Sequence, residues 1–403
     1  MQYCHTTITA KNKFRFQPVR LLSAMEDVPL DDMLAFAEKK FEAQNSGKTK
    51  LLKAVAEKAL SLGLLDQYEE ICSSIGEEMN ASAVAAVREA HLKTLKGFDN
   101  RLEHAKENYG ESEIADILCE RAEVVVRTGN KGDSIDAISR AWGANVGLSK
   151  KLDLLFLALR LGFFLEDRPF IREKLDETKK LLETGADWER RNRLKVYEGL
   201  YFCMVRNFSA ACDLFLEALS TFSAGEVIPF VKFVEMVILL SMATSERGTL
   251  VTKVLRSPEV VASLRDLSGL DVYLRSYYDC HYEGFMNSLY GALSRVACNR
   301  YLRRHSKFYS REVRARVYRQ FLQPYKSVTL KSMAAAFSVS EGFMDSELSA
   351  FISSSKLHCK IDKVSGIIET NRPDSKNAFY QSTIKQGDVL LNRVQRLSRV
   401  INM

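Results

Sequence analysis

Proline is scarce in this chain, seven in 403 residues, while 46% of the residues are hydrophobic. That composition excludes a Pro-rich linker or a disordered protein and allows a large core, in two or three domains by length. No two cysteines stand at C-x-x-C spacing; the eight are scattered at 4, 72, 119, 203, 212, 280, 298 and 359. Neither a zinc site nor a disulfide framework follows from that spacing. Long apolar runs are missing as well. The most apolar stretch, Leu152 to Leu165, carries Asp153 and Arg160 and is too short to cross a bilayer. The opening MQYCHTTITAKNKFRF has no signal-peptide core. A reduced, soluble, intracellular protein is expected, with no membrane contact.

Catalytic constellations are absent too. There is no G-x-S-x-G, H-E-x-x-H or H-x-H, and the six histidines (5, 91, 104, 281, 305, 358) are dispersed. His358 and Cys359 are neighbours on a predicted strand, so they point to opposite faces and cannot share a metal. NSGKTK, residues 45–50, looks like the end of a phosphate-binding loop, but Glu42 stands at its first glycine and helical LAFAEKKFEAQ precedes it. A turn between helices accounts for it better. These absences predict a non-enzyme with no cofactor and no metal.

What is present is mostly helical. Residues 30–75 read as short amphipathic helices. From Ser82 to Tyr109, the positions Val84, Val87, His91, Leu95, Phe98, Leu102, Ala105 and Tyr109 recur every three or four residues, with Gly110 as the expected stop. In GLYFCMVRNFSAACDLFLEAL, the positions Gly199, Phe202, Phe208, Ala211, Phe215 and Ala218 fit the tetratricopeptide alternation of small and large residues; Ala122, Val125, Ser134, Ile138 and Ala141 are a weaker copy. Between them, 152–182 reads as a helical hairpin broken at Asp167-Arg168-Pro169. Leu274, Tyr278, Tyr282, Phe285 and Leu289 predict one aromatic core stripe.

Near the end, LHCKIDKVSGIIETN breaks the pattern. Leu357, Cys359 and Ile361 alternate with His358, Lys360 and Asp362, Ser365-Gly366 supplies a turn, and Ile367 to Thr370 returns. An isolated hairpin needs support. A helix over 312–325, a short strand at Val328 to Leu330, helices at 331–337 and 341–352, and then the hairpin make a winged helix, with Ser340 as an N-cap. A last helix runs from about Asn377, with Leu390, Val394, Leu397 and Ile401 spaced 4, 3 and 4 and flanked by Leu391 and Val400. This stripe either folds back or meets a partner.

Net charge is +7, of which +8 lies between Arg295 and Arg319, leaving the remainder near neutral. Such a patch suits nucleic acid, an acidic protein surface or plain solvation. The helix that would enter DNA carries Glu341, Asp345 and Glu347 and no Lys or Arg before Lys356, which argues against nucleic acid. A protein scaffold is favoured.

Helical repeats running into a winged helix is the architecture of PCI-domain proteins. ESEIADILCERAEVVVRTGNKG, DWERRNRLKVYEGLY, SMAAAFSVSEGFMDSELSAFI and KQGDVLLNRVQRLSRVINM resemble, within that family, a non-ATPase lid subunit of the proteasome regulatory particle, from about residue 80 to the end. The pattern of residues gives an N-terminal helical segment (1–75), and from there the resemblance implies a mostly α fold: TPR-like helical repeats (76–250), a PCI domain (255–372, winged helix about 312–371) and a C-terminal bundle helix (376–403). It implies a hetero-oligomeric scaffold in ubiquitin-dependent degradation, in cytoplasm and nucleus, with other PCI and MPN lid subunits and the proteasome base as partners. A paralogous signalosome PCI subunit is the alternative. The expected partner-facing residues are Leu390, Leu391, Val394, Leu397 and Ile401 on the last helix, Leu357, Cys359 and Ile361 on the wing, and Arg303 and Arg304 in the basic run.

Overall fold

A computed structural model describes residues 29–76, 79–108, 110–185, 187–370 and 375–401. It opens with α1 (Asp32–Ser46), α2 (Thr49–Leu62) and α3 (Leu65–Ile75). The Asp31 carboxylate caps α1 by accepting from Met33 N at 3.0 Å. Gly47, at φ +61°, ends α1 two residues before α2 begins. NSGKTK is therefore a helix–helix junction, entered from α1 rather than from a strand.

The next helix, α4 (Ala81–Asn108), turns its predicted stripe inward: Val84 and Ala105 are buried, and Val87, His91, Leu95, Phe98 and Leu102 half-buried. Tyr109 lies outside the described residues. Gly110 does not close α4 in a left-handed turn; with φ −83° and ψ 168° it is the extended N-cap of α5 (Glu111–Val126). That helix pairs with α6 (Lys131–Ala144), and Ala122, Val125, Ser134, Ile138 and Ala141 are all buried. A second hairpin joins α7 (Leu148–Leu165) to α8 (Arg168–Glu183), restarted by the Asp167 side chain as N-cap and Pro169 in the first turn. The third joins α9 (Trp188–Val205) to α10 (Phe208–Ala218). Here a Cβ on Gly199 would enter the Phe215 ring, so only glycine lets the two helices close. Phe208, Ala211, Phe215 and Ala218 are buried behind it. The repeats are stacked helical hairpins, as the small-and-large alternation predicts.

An almost wholly apolar helix, α11 (Phe230–Thr244), follows and is buried on nearly all sides. Three short helices, α12 (Arg247–Leu250), α13 (Pro258–Ser263) and α14 (Leu270–Tyr278), lead to α15 (Tyr282–Cys298). The predicted aromatic stripe is corrected here. It is split between α14 and α15 by a turn in which Cys280 is left-handed (φ +60°). Leu274, Phe285 and Leu289 reach the core, whereas Tyr278 is 37% exposed beneath the Arg247 guanidinium.

The winged helix comprises α16 (Ser306–Leu322), β1 (Ser327–Thr329), α17 (Leu330–Ala336), α18 (Glu341–Ser353), β2 (Cys359–Asp362) and β3 (Ile367–Thr370). α16 begins six residues before the predicted start, because buried Tyr309 extends its inner face between exposed Lys307 and Arg311. The sheet order is β1-β3-β2, antiparallel throughout, with Ile368 opposite both Val328 and Ile361. Gly366 takes the left-handed turn at φ +65°. Ser340 caps α18 through Phe343 N. Phe337 fills the centre, 5.0 Å from the Tyr318 ring, 5.4 Å from Phe321 and 4.9 Å from Tyr282. One apolar cluster runs from Met33 in α1 to Ile368 in β3. Outside it stands α19 (Ser375–Ile401), whose described side chains are all exposed.

Candidate interaction surfaces

The basic run from Arg295 to Arg319 turns largely inward. Carbonyls in the last turn of a helix lack intrahelical donors and sit at the negative end of its dipole, so a guanidinium brought from elsewhere satisfies both needs. Arg300 does this at the end of α7, donating to Phe163 O at 2.8 Å and Phe164 O at 3.0 Å. Its Nε meets Glu166 Oε1 at 2.9 Å, and Arg304 binds the other oxygen at 3.1 Å. Arg316 serves the end of α11, donating to Thr244 O at 2.7 Å and to Ser245 O. Arg319 reaches Lys356 O at 2.7 Å, just past α18. Arg295 donates to Ser268 O and pairs with Glu235. Arg314 pairs with Glu347 at 2.9 Å. The run is thus chiefly a seam between the repeats and the winged helix. Facing outward are Lys307 and Arg311, with Arg303 over the Phe41 ring and the exposed part of Arg304.

On the wing, Leu357 and Cys359 are 4% and 5% exposed, and Ile361 is half-buried. Burial pushes the Cys359 thiol above its ordinary range. The first two side chains belong to the module's own core, so a partner on this side would meet the outer backbone edge of β2, which pairs only with β3 among the described strands. The acidic face of α18 is also reassigned. Glu347 accepts from Tyr318 OH at 2.5 Å beside Arg314, and Asp345 pairs with Lys363 of the wing at 3.3 Å. Glu341 alone of the three is left to solvent. α18 still presents no Lys or Arg to a phosphate.

Leu390, Leu391, Val394, Leu397 and Ile401 are between 57 and 72% exposed on α19. The described helix carries the stripe further than those five residues. Tyr380 and Ile384, also exposed, continue it upward at spacings of 4 and 3 through Gly387 to Leu391, a signal present in the sequence.

A buried ionic cluster ties the start of α1 to the repeats. Glu226 accepts from Tyr197 OH and from the Arg193 guanidinium, Arg160 lies 3.6 Å from it, and Arg160 also holds Asp31 at 3.1 Å. Burial alone would raise the Glu226 carboxyl. Hydrogen bonding and charge from Arg193, with the charge of Arg160, outweigh it and hold the group below its usual range. With its oxygens occupied by cations and a phenol, this carboxylate is a brace. Among the described residues no three His, Cys, Asp or Glu side chains gather as metal ligands, and no helix is long and apolar enough to cross a membrane.

Three family models match. One described as 26S proteasome subunit RPN7 covers residues 80–253, the PCI domain covers 291–372, and the 26S proteasome regulatory subunit RPN7/PSMD6 C-terminal helix covers 380–401. The chain is 44% identical to the 26S proteasome non-ATPase regulatory subunit 6 homolog of Arabidopsis thaliana, over 88% of this chain and 92% of that one. It is 37% identical to subunit 6 of Dictyostelium discoideum, over 92% and 97%. It is 36% identical to regulatory subunit RPN7 of Saccharomyces cerevisiae, over 78% and 74%. Similarity to COP9 signalosome complex subunit 1 of Arabidopsis thaliana is lower, 22% over 59% and 53%.

Proposed function

The chain belongs to the RPN7 family of 26S proteasome regulatory subunits, and on that footing we propose that it is a non-catalytic scaffold of the proteasome lid, serving ubiquitin-dependent degradation. Its winged helix joins other PCI subunits along the open edge of β2, and α19 enters a helical bundle with further lid subunits of the PCI and MPN classes. The outward charges at Arg303 and Arg304 face an acidic protein surface, of the lid or of the base. Cytoplasm and nucleus are its compartments.

The observation that carries this reading is the exposure of α19. Its apolar face contributes nothing to the chain's own core, and a free stripe of this length invites aggregation unless a partner covers it. Burying five such side chains contributes roughly 1.5–3 kcal/mol each before ordering costs, enough to hold a helix in a bundle. Deleting residues 386–403 is expected to leave the remaining chain folded, with its melting temperature nearly unchanged, and to block assembly with lid subunits on co-expression. A melting temperature lowered by tens of degrees would mean that the helix belongs to this chain's own core. The signalosome alternative is separated by native mass spectrometry of the complex purified through this chain.

A further inference from the structure

Resting on the reading of Arg303 and Arg304 as a docking face, we propose that Ser306 is a phosphorylation site for an arginine-directed serine kinase, whose phosphate weakens that face. Arg-Arg pairs occur in the chain at 190–191 and 303–304. The first is followed by Asn192-Arg193 and the second by His305-Ser306, so arginines stand both two and three positions before a serine or threonine at one place only. Kinases of this class hold those two side chains in carboxylate subsites, which suits the planar, bidentate donor that Arg offers. Both guanidiniums are exposed here. Ser306 itself is half-buried, and its Oγ makes no hydrogen bond among the described residues and is not sealed from solvent. The stretch that a kinase reads, 303–307, lies between two fully buried anchors, Leu302 and Tyr309. To extend it, the single 3-10 turn at Arg303–His305 and the first turn of α16 must fray, with loss of the His305 ring contact to Met204 O at 3.1 Å.

In the transfer, Ser306 Oγ bonds to the γ-phosphorus of ATP as the bond from that phosphorus to the bridging oxygen breaks. ADP leaves, and the hydroxyl proton passes to a base of the kinase. The consequence is electrostatic. Ser306 N–H donates to Arg303 O, so the two residues stand one 3-10 turn apart with their side chains eclipsed. A phosphate at Ser306 draws the Arg303 guanidinium off the Phe41 ring into a bidentate pair. The outward cations of this face are Arg303, Arg304, Lys307 and Arg311. A phosphoserine charge of about −1.5 to −2 offsets roughly half of theirs, and an acidic surface is then held less tightly.

The test incubates the full chain with ATP, magnesium and the catalytic subunit of cyclic-AMP-dependent protein kinase, an arginine-directed enzyme, and maps the product by mass spectrometry. Phosphate is expected at Ser306, lost in Ser306→Ala and added about tenfold more slowly in the double variant Arg303→Ala, Arg304→Ala. An unmodified Ser306 would overturn the site. Phosphorylated and unmodified chains then compete for lid subunits. At low salt the phosphorylated chain is expected to incorporate about tenfold less, with the gap closing as salt rises. Equal incorporation would overturn the inference while leaving the docking reading intact, provided Arg303→Glu, Arg304→Glu still lowers assembly. Normal assembly of that reversed variant would end the docking reading and this inference together.

Discussion

Arg300 and Glu166 stand 134 positions apart in the chain, and their side chains meet at 2.9 Å. Glu166 itself is left-handed, φ +55°, where the chain leaves α7, so its carboxylate lies beside the same carbonyls that Arg300 serves. Arg300 is only 7% exposed. Arg300→Ala leaves two carbonyls without their donor and Glu166 with Arg304 alone, and is expected to cost about 1–3 kcal/mol in urea unfolding. Glu166→Gln keeps an acceptor and is expected to cost about 1–2 kcal/mol. Equal, near-zero losses would show that the contact does not brace the fold.

Gly199 makes the opposite kind of contact, one defined by room for nothing more. Gly199→Ala must displace the Phe215 ring from a packed interface, and a loss of about 1–3 kcal/mol is expected from overpacking. Gly97, in the middle of α4 with open space around its would-be Cβ, is the control. Gly97→Ala is expected to stabilise by up to about 1 kcal/mol through helix propensity. Circular dichroism melts of the two variants should move in opposite directions.

Acid unfolding should report on Glu226. Its folded carboxyl lies below the ordinary range, so its contribution is fully present above the unfolded value of about 4.3 and is lost as pH falls through the lower folded value. Glu226→Gln is expected to flatten the fall of stability below about pH 4. At neutral pH it should cost about 3–5 kcal/mol, because Arg193 is left facing no charge and Arg160 keeps only Asp31. An acid limb unchanged in the variant would remove Glu226 from this role.

Reversing Arg303 and Arg304 to Glu is expected to lower incorporation into the complex, with the defect shrinking as salt is raised in both proteins. Because Arg304 also holds Glu166, the melting temperature of the free variant is read alongside. Incorporation unaffected at low salt would mean that these outward charges are a solvated face.

The wing was legible because a half-buried strand writes its geometry into alternate residues: Leu357 and Cys359 went in, His358 and Lys360 out. The same rule reached Phe215 and Gly199, where small and large residues recur at helical spacing. It failed at Cys280, since a left-handed cysteine carries none of the signal of Gly or Asn, and one stripe was read across two helices. It also failed for the basic run. Nothing local to Arg316 or Arg300 announces that their acceptors are carbonyls of α11 and α7, and for charges the sequence displays sign but not direction. Glu347, similarly, reads as an exposed acid until Tyr318 and Arg314 are seen to hold it.

The burial of α11 has a consequence in time. Its Thr244 carbonyl waits for Arg316, 72 residues later, and its apolar flanks wait for α14 and α16. At about 5–20 residues per second of synthesis, that is an interval of roughly 4–15 seconds. At its start, a helix containing Phe233, Val237, Leu240 and Met236 has only α10 and the earlier repeats to lie against; α13 and α14 arrive part-way through and α16 at its end. The nascent chain is most adhesive in its middle, after the repeats have emerged and before the winged helix closes over them.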